Sequence, residues 1–401
     1  MAEAWARIAA RAAALPAVPT GLSDAVGRIL GDAVRSPVDL PGFDRSAMDG
    51  WAVRAADLAP AAPGAAVELP VHGESAAGSA GDEALPAGAA MAISTGAPLP
   101  PGADAVLPLE RGTQSDGRLR TEAAIAPGLH VRRRGEDVRA GEVMVPAGAR
   151  LTPGRLGAVA SAGVGTVTVH PRPRVAVLVT GSELVPVGTP LPPGAIYNSN
   201  GPVLAAFARA AGADVTDLGM VADDAGATRA ALEGGLQAAD VLLVSGGVSV
   251  GPHDLVKPAL AALGVEELFW RVRMRPGKPI FCGRAGARWV LGLPGNPLSA
   301  VVGFLVFGEP LLRRLAGDPH AAVRTLTATL AAPARAPDGR TTYATARLER
   351  GDDGELLASP TPGQGSHLTK ALADADGFVI VPHERPSLAV GERAEVLPLP
   401  E

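Results

Sequence analysis

Three glycine-containing loops carry the residue types that bind phosphate groups. Residues 180–183 (TGSE), 245–251 (SGGVSVG) and 293–297 (LPGNP) each follow or end a continuous apolar stretch. Glycine lets the backbone approach a ligand, and free N–H groups at the start of a helix bind anions. One such loop is as readily a plain tight turn. Three of them at one end of a sheet favour a nucleotide-like or phosphorylated ligand.

Acidic side chains stand in or beside the loops that are rich in glycine and proline. They are Asp44, Asp49, Glu136, Asp137, Glu183, Asp223, Asp224 and Asp254. Any one of them is commonly a solvated turn residue or a helix cap, and Asp223 and Asp254 are well placed as caps. As a set beside phosphate-binding loops they would supply oxygen ligands to Mg²⁺.

Two cations, Arg275 and Lys278, flank the turn at residues 276–277 (PG). A rigid turn fixes where their charges point, which indicates an oxyanion clamp, while plain surface charge is the alternative.

The run 247–251 (GVSVG) also matches the G-x-S-x-G nucleophile elbow of serine hydrolases. Gly246 and Pro252 bracket the match with further turn-forming residues, and no HGGG-type oxyanion loop precedes it. The hydrolase interpretation is therefore disfavoured. Neither the dinucleotide fingerprint nor the P-loop motif occurs in the chain.

The elements that must position these loops follow from the apolar pattern. Apolar strands alternate with helices over residues 171–318, which predicts an α/β domain with a doubly wound parallel sheet. Short apolar stretches broken by glycine or proline predict a β-rich insertion domain at 41–140 and a small C-terminal β domain at 319–401. We expect residues 1–20 to form an N-terminal helix that packs on the rest. Residues 21–40 and 141–170 would form a small linker domain.

Composition excludes several classes of protein. The 401 residues are 47% hydrophobic and 19% charged, which favours packed domains over disorder. A net charge of −5, with one basic triplet at 132–134, argues against nucleic acid as a partner. The single cysteine, Cys282, excludes disulfides and cysteine-based zinc sites within one chain. We expect no membrane span and no signal peptide, and hence a cytoplasmic protein.

Taken together, the motifs resemble those of the MoeA-type molybdopterin molybdenumtransferases, to which the E domain of gephyrin is similar. The resemblance spans roughly residues 20–400 in the family's order, and its run SAMDG is highly specific. The matching runs are 43–50 (FDRSAMDG), 93–97 (ISTGA), 134–137 (RGED), 180–183 (TGSE), 245–249 (SGGVS), 276–279 (PGKP) and 292–297 (GLPGNP).

The resemblance implies a homodimer that inserts molybdate into adenylylated molybdopterin and releases AMP, with Mg²⁺, in a cleft built from both subunits. It also implies transient contact with molybdopterin adenylyltransferase and with molybdoenzymes. The implied catalytic residues are Asp49, Asp137, Glu183, Asp223 and Asp254, of which Glu183 and Asp254 also bind the metal. The implied molybdate ligands are Lys278, Ser299, Arg347 and Ser366. The implied substrate-binding residues are Thr95, Gly96, Thr180, Gly181, Ser182, Gly246, Gly247, Ser249, Arg271, Arg275, Pro294, Gly295, Asn296 and Pro297.

Arg271 and Arg275 stand where family members commonly carry lysine. Arginine keeps the positive charge, but its planar guanidinium presents several donors in one plane, whereas the lysine ammonium group is a single compact charge.

Two other functions stay open at this stage. Adenylylation of molybdopterin with ATP needs only the small α/β domain, so the additional β-rich regions argue against it. A non-catalytic scaffold that binds the pterin or a partner protein is disfavoured because the whole carboxylate set is present.

Overall fold

A computed structural model describes residues 1–248, 254–336 and 339–400. The helices are α1 (Ala2–Ala9), α2 (Pro153–Ser161), α3 (Asn200–Ala210), α4 (Ala225–Ala238), α5 (Val256–Ala262), α6 (Pro297–Gly303), α7 (Glu309–Leu315) and α8 (Thr369–Ala373). Strands of the first half are β1 (Val18–Gly21), β2 (Val34–Arg35), β3 (Arg45–Ser46), β4 (Gly50–Val53), β5 (Val67–Ser75), β6 (Ala90–Ile93), β7 (Ala105–Pro108), β8 (Thr113–Ser115), β9 (Arg118–Thr121), β10 (Val131–Arg132), β11 (Val143–Val145) and β12 (Thr166–Val169). Strands of the second half are β13 (Arg174–Thr180), β14 (Leu184–Val185), β15 (Ile196–Tyr197), β16 (Asp214–Val221), β17 (Val241–Ser245), β18 (Glu266–Trp270), β19 (Met274–Arg275), β20 (Phe281–Ala285), β21 (Arg288–Leu293), β22 (Leu326–Leu330), β23 (Ala334–Arg335), β24 (Thr341–Arg350), β25 (Leu356–Pro360), β26 (Gly377–Val381), β27 (Ser387–Leu388) and β28 (Arg393–Pro398). No helix in the described part of the chain is both long enough and apolar enough to cross a membrane.

Contacts between residues divide the chain into two compact units. The α/β unit comprises Met1–Val18, Arg28–Gly31 and Thr168–Glu401, and the β-rich unit comprises Pro19–Gly27 and Asp32–Val167. The finer division into five segments stays a prediction.

The α/β unit is built on a six-stranded sheet with the order β16-β13-β17-β21-β20-β18. The first four strands are parallel, which confirms the doubly wound arrangement. Strand β20 pairs antiparallel with β21, and β18 pairs antiparallel with β20, so β18 runs in the same direction as the first four strands. Only the two residues 286–287 join β20 to β21, and so short a connection can return the chain only antiparallel.

Alternate residues of β13 face opposite sides of this sheet. Val175 and Val177 pack with Leu204 of α3 in one buried cluster. Ala176 and Leu178 pack with the helices α4 and α5 in another. Burial on both faces explains why these strands are continuously apolar in sequence.

Two smaller β-structures complete the fold. In the C-terminal region, β24, β25, β22, β28 and β26 pair in turn, and β26 pairs back to β24, so the strands close into a small barrel. In the β-rich unit, six strands form a sheet with the order β7-β4-β6-β5-β9-β8 over a core that includes Trp51 and Leu107. The predicted combination of an α/β domain with two β-rich regions is therefore confirmed.

One carboxylate anchors the amino-terminal edge of the parallel strands. The Asp240 carboxylate accepts bonds from the Arg174 backbone N–H at 2.9 Å and from the Arg174 and Arg288 guanidinium groups at 2.9 and 2.8 Å. Burial alone would raise the pKa of Asp240, but the bonds from Arg174 and the charge of Arg288 together hold that pKa below its ordinary value. The ion pairs thus join the starts of three adjacent strands.

We expect Asp240→Asn to lower the thermal midpoint of the α/β unit, because it removes charge-assisted bonds worth about 1–3 kcal/mol. A depressed pKa gives stability that is present above the unfolded-state pKa near 4 and is lost as the pH falls through the folded-state pKa. Calorimetry should therefore find the largest deficit at neutral pH and a shrinking deficit below about pH 4. Asp214→Asn, which breaks the exposed pair with Arg172 at 4.0 Å, is the control and should cost little. A deficit that does not change with pH would contradict the ionic explanation.

Candidate functional site

A cavity of about 330 Å³ lies at the carboxyl ends of β13, β17 and β21, where open α/β sheets bind ligands. We call it the strand-end cavity. It is lined by Thr180, Gly181, Glu183, Asp223, Gly246, Gly247, Val248, Asp254, Pro279, Pro294, Gly295 and Asn296. The three glycine loops that the sequence singled out therefore meet at one place.

Glycine is required where two of these loops touch. Gly246 has φ +97°, and a Cβ at this position would lie 2.4 Å from the Thr180 carbonyl oxygen. A Cβ on Gly181 would lie 2.7 Å from Glu183 Oε2. The loops pack backbone against backbone, and this contact leaves the cavity beside them.

Asp223 is held in place by a reciprocal pair of hydrogen bonds. The Ser182 N–H donates to Asp223 Oδ2 at 3.2 Å, and the Asp223 N–H donates to Ser182 Oγ at 2.9 Å. The helix cap expected at Asp223 falls instead on Asp224, whose carboxylate accepts from the Ala227 N–H at 2.7 Å. The capping role shifts by one residue because the pair with Ser182 orients Asp223 toward the cavity.

A buried hydrogen-bond network that the sequence did not reveal joins two of the loops. Asn200 Nδ2 donates to Ser245 Oγ at 2.8 Å and to the Gly295 carbonyl at 2.7 Å. Ser245 Oγ donates in turn to the Pro294 carbonyl at 3.2 Å. An asparagine at a helix start resembles an ordinary cap in sequence, and only its 5% exposure distinguishes it.

Two polar atoms beside the cavity are buried without a hydrogen-bond partner among the described residues. They are Thr180 Oγ1 and Asn200 Oδ1. Thr180 lines the cavity, but its hydroxyl lies under the glycine loop, since a Cβ on Gly246 or Gly247 would come within 2.7 or 3.0 Å of Thr180 Oγ1.

Three carboxylates, Glu183, Asp223 and Asp254, line the cavity together. Within the described ranges, no group of three or more His, Cys, Asp or Glu residues is arranged to hold a metal ion by itself. The metal ligands Glu183 and Asp254 therefore stay a prediction.

The structure separates the residues predicted to bind molybdate. Lys278 is exposed on the loop beside Pro279, and Ser299 is buried in α6. Ser366 Oγ accepts from Asn296 Nδ2 at 3.2 Å, which brings the C-terminal region to the strand-end cavity. Arg347 lines a different cavity of about 510 Å³.

That second cavity is basic on one side. Lys370 donates to the Asp374 carboxylate and, with Arg347, holds the pKa of Asp374 below its ordinary value. Arg275 lines a third cavity of about 410 Å³, with Tyr343 and Gln364.

The β-rich unit brings together three of its four predicted site residues. The Thr95 N–H donates to Asp49 Oδ1 at 2.7 Å, and Gly96 follows at φ +82°. A Cβ on Gly50 would lie 1.9 Å from the Leu107 carbonyl oxygen, so this glycine is required beside Asp49. Asp137 lies on a separate loop, where its N–H donates to the Leu40 carbonyl at 3.0 Å.

Two other carboxylates of this unit stabilise loops. Asp44 Oδ2 binds the Arg133 guanidinium at 2.6 Å and Oδ1 accepts from the Arg134 N–H at 2.8 Å. Burial would raise the pKa of Asp44, but these bonds together hold it below its ordinary value. Glu136 accepts from the Arg133 N–H at 2.7 Å. Asp44 and Glu136 therefore act as turn residues, which is one of the two roles that the sequence allowed for these acidic side chains.

Ser249 lies outside the described residues, as do positions 250–251 of the hydrolase-like run. The predicted substrate contact of Ser249 and the nucleophile elbow both stay untested.

We expect Gly246→Ala to damage the strand-end cavity, because the methyl group would strike the Thr180 carbonyl and the backbone would keep an unfavourable φ. Gly264→Ala is the matched control, since its φ is +76° and nothing lies within 4 Å of its added Cβ. The control should lose about 1–2 kcal/mol of stability and Gly246→Ala about 1–3 kcal/mol more. Thermal midpoints measured by calorimetry would test this, and equal losses in the two variants would refute the close contact.

Comparison with known proteins places the whole chain in one family. Residues 1–163 match the MoeA N-terminal region (domain I and II), residues 176–314 match a probable molybdopterin binding domain, and residues 327–399 match the MoeA C-terminal region (domain IV).

Named relatives are similar over nearly their full length. Molybdopterin molybdenumtransferase 2 of Mycobacterium tuberculosis is 40% identical over 382 residues, which cover 94% of this chain and 93% of that protein. Molybdopterin molybdenumtransferase of Haemophilus influenzae is 36% identical over 385 residues, which cover 94% and 92%. The crystal structure of the molybdopterin biosynthesis MoeA protein from Pyrococcus horikosii superposes with a TM-score of 0.86 at 33% identity, over 99% of this chain and 98% of that one. The chain therefore belongs to the MoeA family of molybdopterin molybdenumtransferases.

Proposed function

We propose that this protein acts in molybdenum cofactor biosynthesis, where it inserts molybdate into adenylylated molybdopterin and releases AMP. The observation that carries the proposal is the strand-end cavity. It combines closely packed glycine loops with three carboxylates, in a chain similar to molybdopterin molybdenumtransferases over 94% of its length. Phosphoryl transfer depends mainly on positioning and charge neutralisation, and both are supplied by such a cavity.

The glycine loops would bind the phosphate and adenylate part of the substrate. The backbone at Gly246 and Gly247 is accessible because these residues lack a side chain, and both line the cavity. Thr180 would support these glycines from below, because its carbonyl and hydroxyl oxygens pack against Gly246. The reciprocal pair of Ser182 with Asp223 would keep the facing carboxylate in a fixed orientation.

The residues of this cavity fit a magnesium ion, because hard cations prefer carboxylate oxygens. Glu183 and Asp254 would hold the ion, and phosphate oxygens would complete its ligands, as is usual where protein residues alone form no full cage. When bound, Mg²⁺ supplies positive charge that offsets the negative charge of the phosphoanhydride.

Lys278, Ser299 and Ser366 would bind the molybdate substrate beside this cavity. The bond between Ser366 and Asn296 supports this placement, and so does the position of Lys278 next to Pro279, which lines the cavity. The role proposed for Arg347 depends on the family resemblance alone, since Arg347 lines another cavity.

We also propose a homodimer in which Asp49 of the partner subunit, Thr95 of the partner subunit and Asp137 of the partner subunit complete the cleft. The support is the family resemblance, together with the position of Asp49 and Asp254 in different compact units. Transient contacts with molybdopterin adenylyltransferase and with molybdoenzymes belong to the same proposal.

Asp49→Asn and Asp254→Asn should each lower molybdate-dependent AMP release at least about 100-fold, since each removes a charge from the reacting region. Asparagine keeps an acceptor for the Thr95 N–H, so Asp49→Asn should stay folded, as circular dichroism and calorimetry would show. Absence of molybdate-dependent AMP release from the unaltered enzyme would refute the proposed activity.

The same two variants test the shared cleft. Co-expressed subunits would form mixed dimers with one complete site each, so about a quarter of the unaltered activity should return. A cleft built within one subunit would give no recovery, because every site would then lack one carboxylate.

Lys278→Ala should raise the molybdate concentration for half-maximal rate about tenfold or more, because a charge-assisted bond worth about 1.5–3 kcal/mol is lost. Lys370→Ala is the matched control, since Lys370 is an exposed lysine of the cavity that contains Arg347. Molybdate titration of AMP release in both variants separates the two cavities. An effect of Lys370→Ala without one of Lys278→Ala would move the molybdate site to the Arg347 cavity.

A further inference from the structure

Trp270 is the last residue of β18. It is hydrogen-bonded to a loop residue that lines the strand-end cavity. Its indole Nε1 donates to the Val248 carbonyl at 3.0 Å, and Val248 lines the cavity. Val248 also fills the space that a side chain on Gly292 would need, since a Cβ there would lie 2.7 Å from Val248 Cγ1. The indole N–H therefore fixes the end of the second glycine loop against the sheet.

Two cations stack on the same indole ring. Lys257 Nζ lies 3.5 Å from a ring centroid of Trp270, and Arg271 Cζ lies 4.1 Å from it. Attraction between a cation and an aromatic ring at these distances is worth about 0.5–2 kcal/mol. Lys257 is held further by Glu267 of β18 at 3.0 Å.

Arg271 needs this support because its backbone is strained. Its φ is +68°, a conformation that residues with a side chain adopt rarely. The Arg271 N–H donates to the Ile280 carbonyl at 3.0 Å, and the ring of Trp270 holds the other end of the residue. Strained residues of this kind persist where the surrounding structure holds them in place.

We propose that Trp270 is a positioning residue for substrate binding. It acts through two neighbours, the Val248 carbonyl in the glycine loop and the Arg271 guanidinium, while Lys257 on the same ring is already paired with Glu267. This inference depends on the proposed function for its substrate, the adenylylated pterin, whose phosphates are the anions that such cations would attract. Trp270 itself touches no reacting atom.

Two substitutions separate the contributions of Trp270. Trp270→Phe keeps an aromatic face but loses the N–H that binds Val248, and Trp270→Leu loses both. We expect Trp270→Phe to raise the KM for the adenylylated pterin about fivefold, the effect of one neutral hydrogen bond, with kcat within about twofold. Trp270→Leu should raise KM about 30-fold, because cation stacking is lost as well.

The matched control is Trp289→Phe. Trp289 is buried in β21 with Arg284 at 5.8 Å from its ring, and it pairs with Val241 at the opposite end of the sheet from the cavity. This variant should lower the thermal midpoint and leave KM unchanged. A purely structural role of Trp270 would give the same pattern as the control, and that result would overturn the proposal.

Hydrogen exchange gives a readout that does not need turnover. The Gly246 N–H donates to the Leu293 carbonyl at 3.0 Å, so exchange of the Gly246 amide should accelerate in Trp270→Phe and not in Trp289→Phe. Unchanged protection in Trp270→Phe would overturn the inference even if the unaltered enzyme proved inactive. If the unaltered enzyme proved inactive but exchange still accelerated in Trp270→Phe, the proposed function would be refuted. The inference that Trp270 positions the loop would still hold.

Discussion

The side-chain amide of Asn200 is the contact on which the site depends. Its Nδ2 group reaches Ser245 at the end of β17 through a buried bond and the Gly295 carbonyl just after β21 through a partly buried one. A buried polar group that loses its partner costs about 1–3 kcal/mol, so the two loops cannot separate cheaply. Because Gly246 also packs against Thr180, the carboxyl ends of β13, β17 and β21 are held together. The cavity is the space that remains between them.

The two compact units share one kind of contact, in which a glycine lets two backbone segments approach closely. In the α/β unit Gly246 lets one backbone reach another, and in the β-rich unit Gly50 does so beside Asp49. In both places a carboxylate accepts a backbone N–H from the neighbouring loop: Asp223 from Ser182, and Asp49 from Thr95. Among the described residues neither carboxylate has a cationic partner, so a backbone N–H orients each of them and its charge would stay available to a ligand.

Much of this arrangement could be predicted from the sequence, and the limits have physical reasons. Continuous apolar strands identified the parallel sheet, and glycine loops after them identified the cavity, since both signals are local in sequence. Asn200 and Trp270 gave no such signal, because their importance comes from partners 45 and 22 positions away. The expected convergence of Arg347 with Lys278 also needed a tertiary contact, and here the structure places Arg347 in a separate cavity. Strands β18 and β20 were not identified from the sequence. The antiparallel direction of β20 follows from the two-residue connection that joins it to β21.

The carboxylates that line the strand-end cavity restrict which ligands can enter it. Glu183, Asp223 and Asp254 line a space of about 330 Å³, and an anionic phosphate entering it alone would meet like charges in a partly desolvated site. A divalent cation removes this repulsion, so binding of the phosphate and of the metal ion would favour each other. Arg271 and Lys257 stack on Trp270 and are not among the described residues that line the cavity, and Lys257 is paired with Glu267, so they do not neutralise the carboxylate set. In the proposed reaction the cavity would therefore discriminate against an anion that arrives without its cation, and this would limit cleavage of the phosphoanhydride to the fully assembled complex.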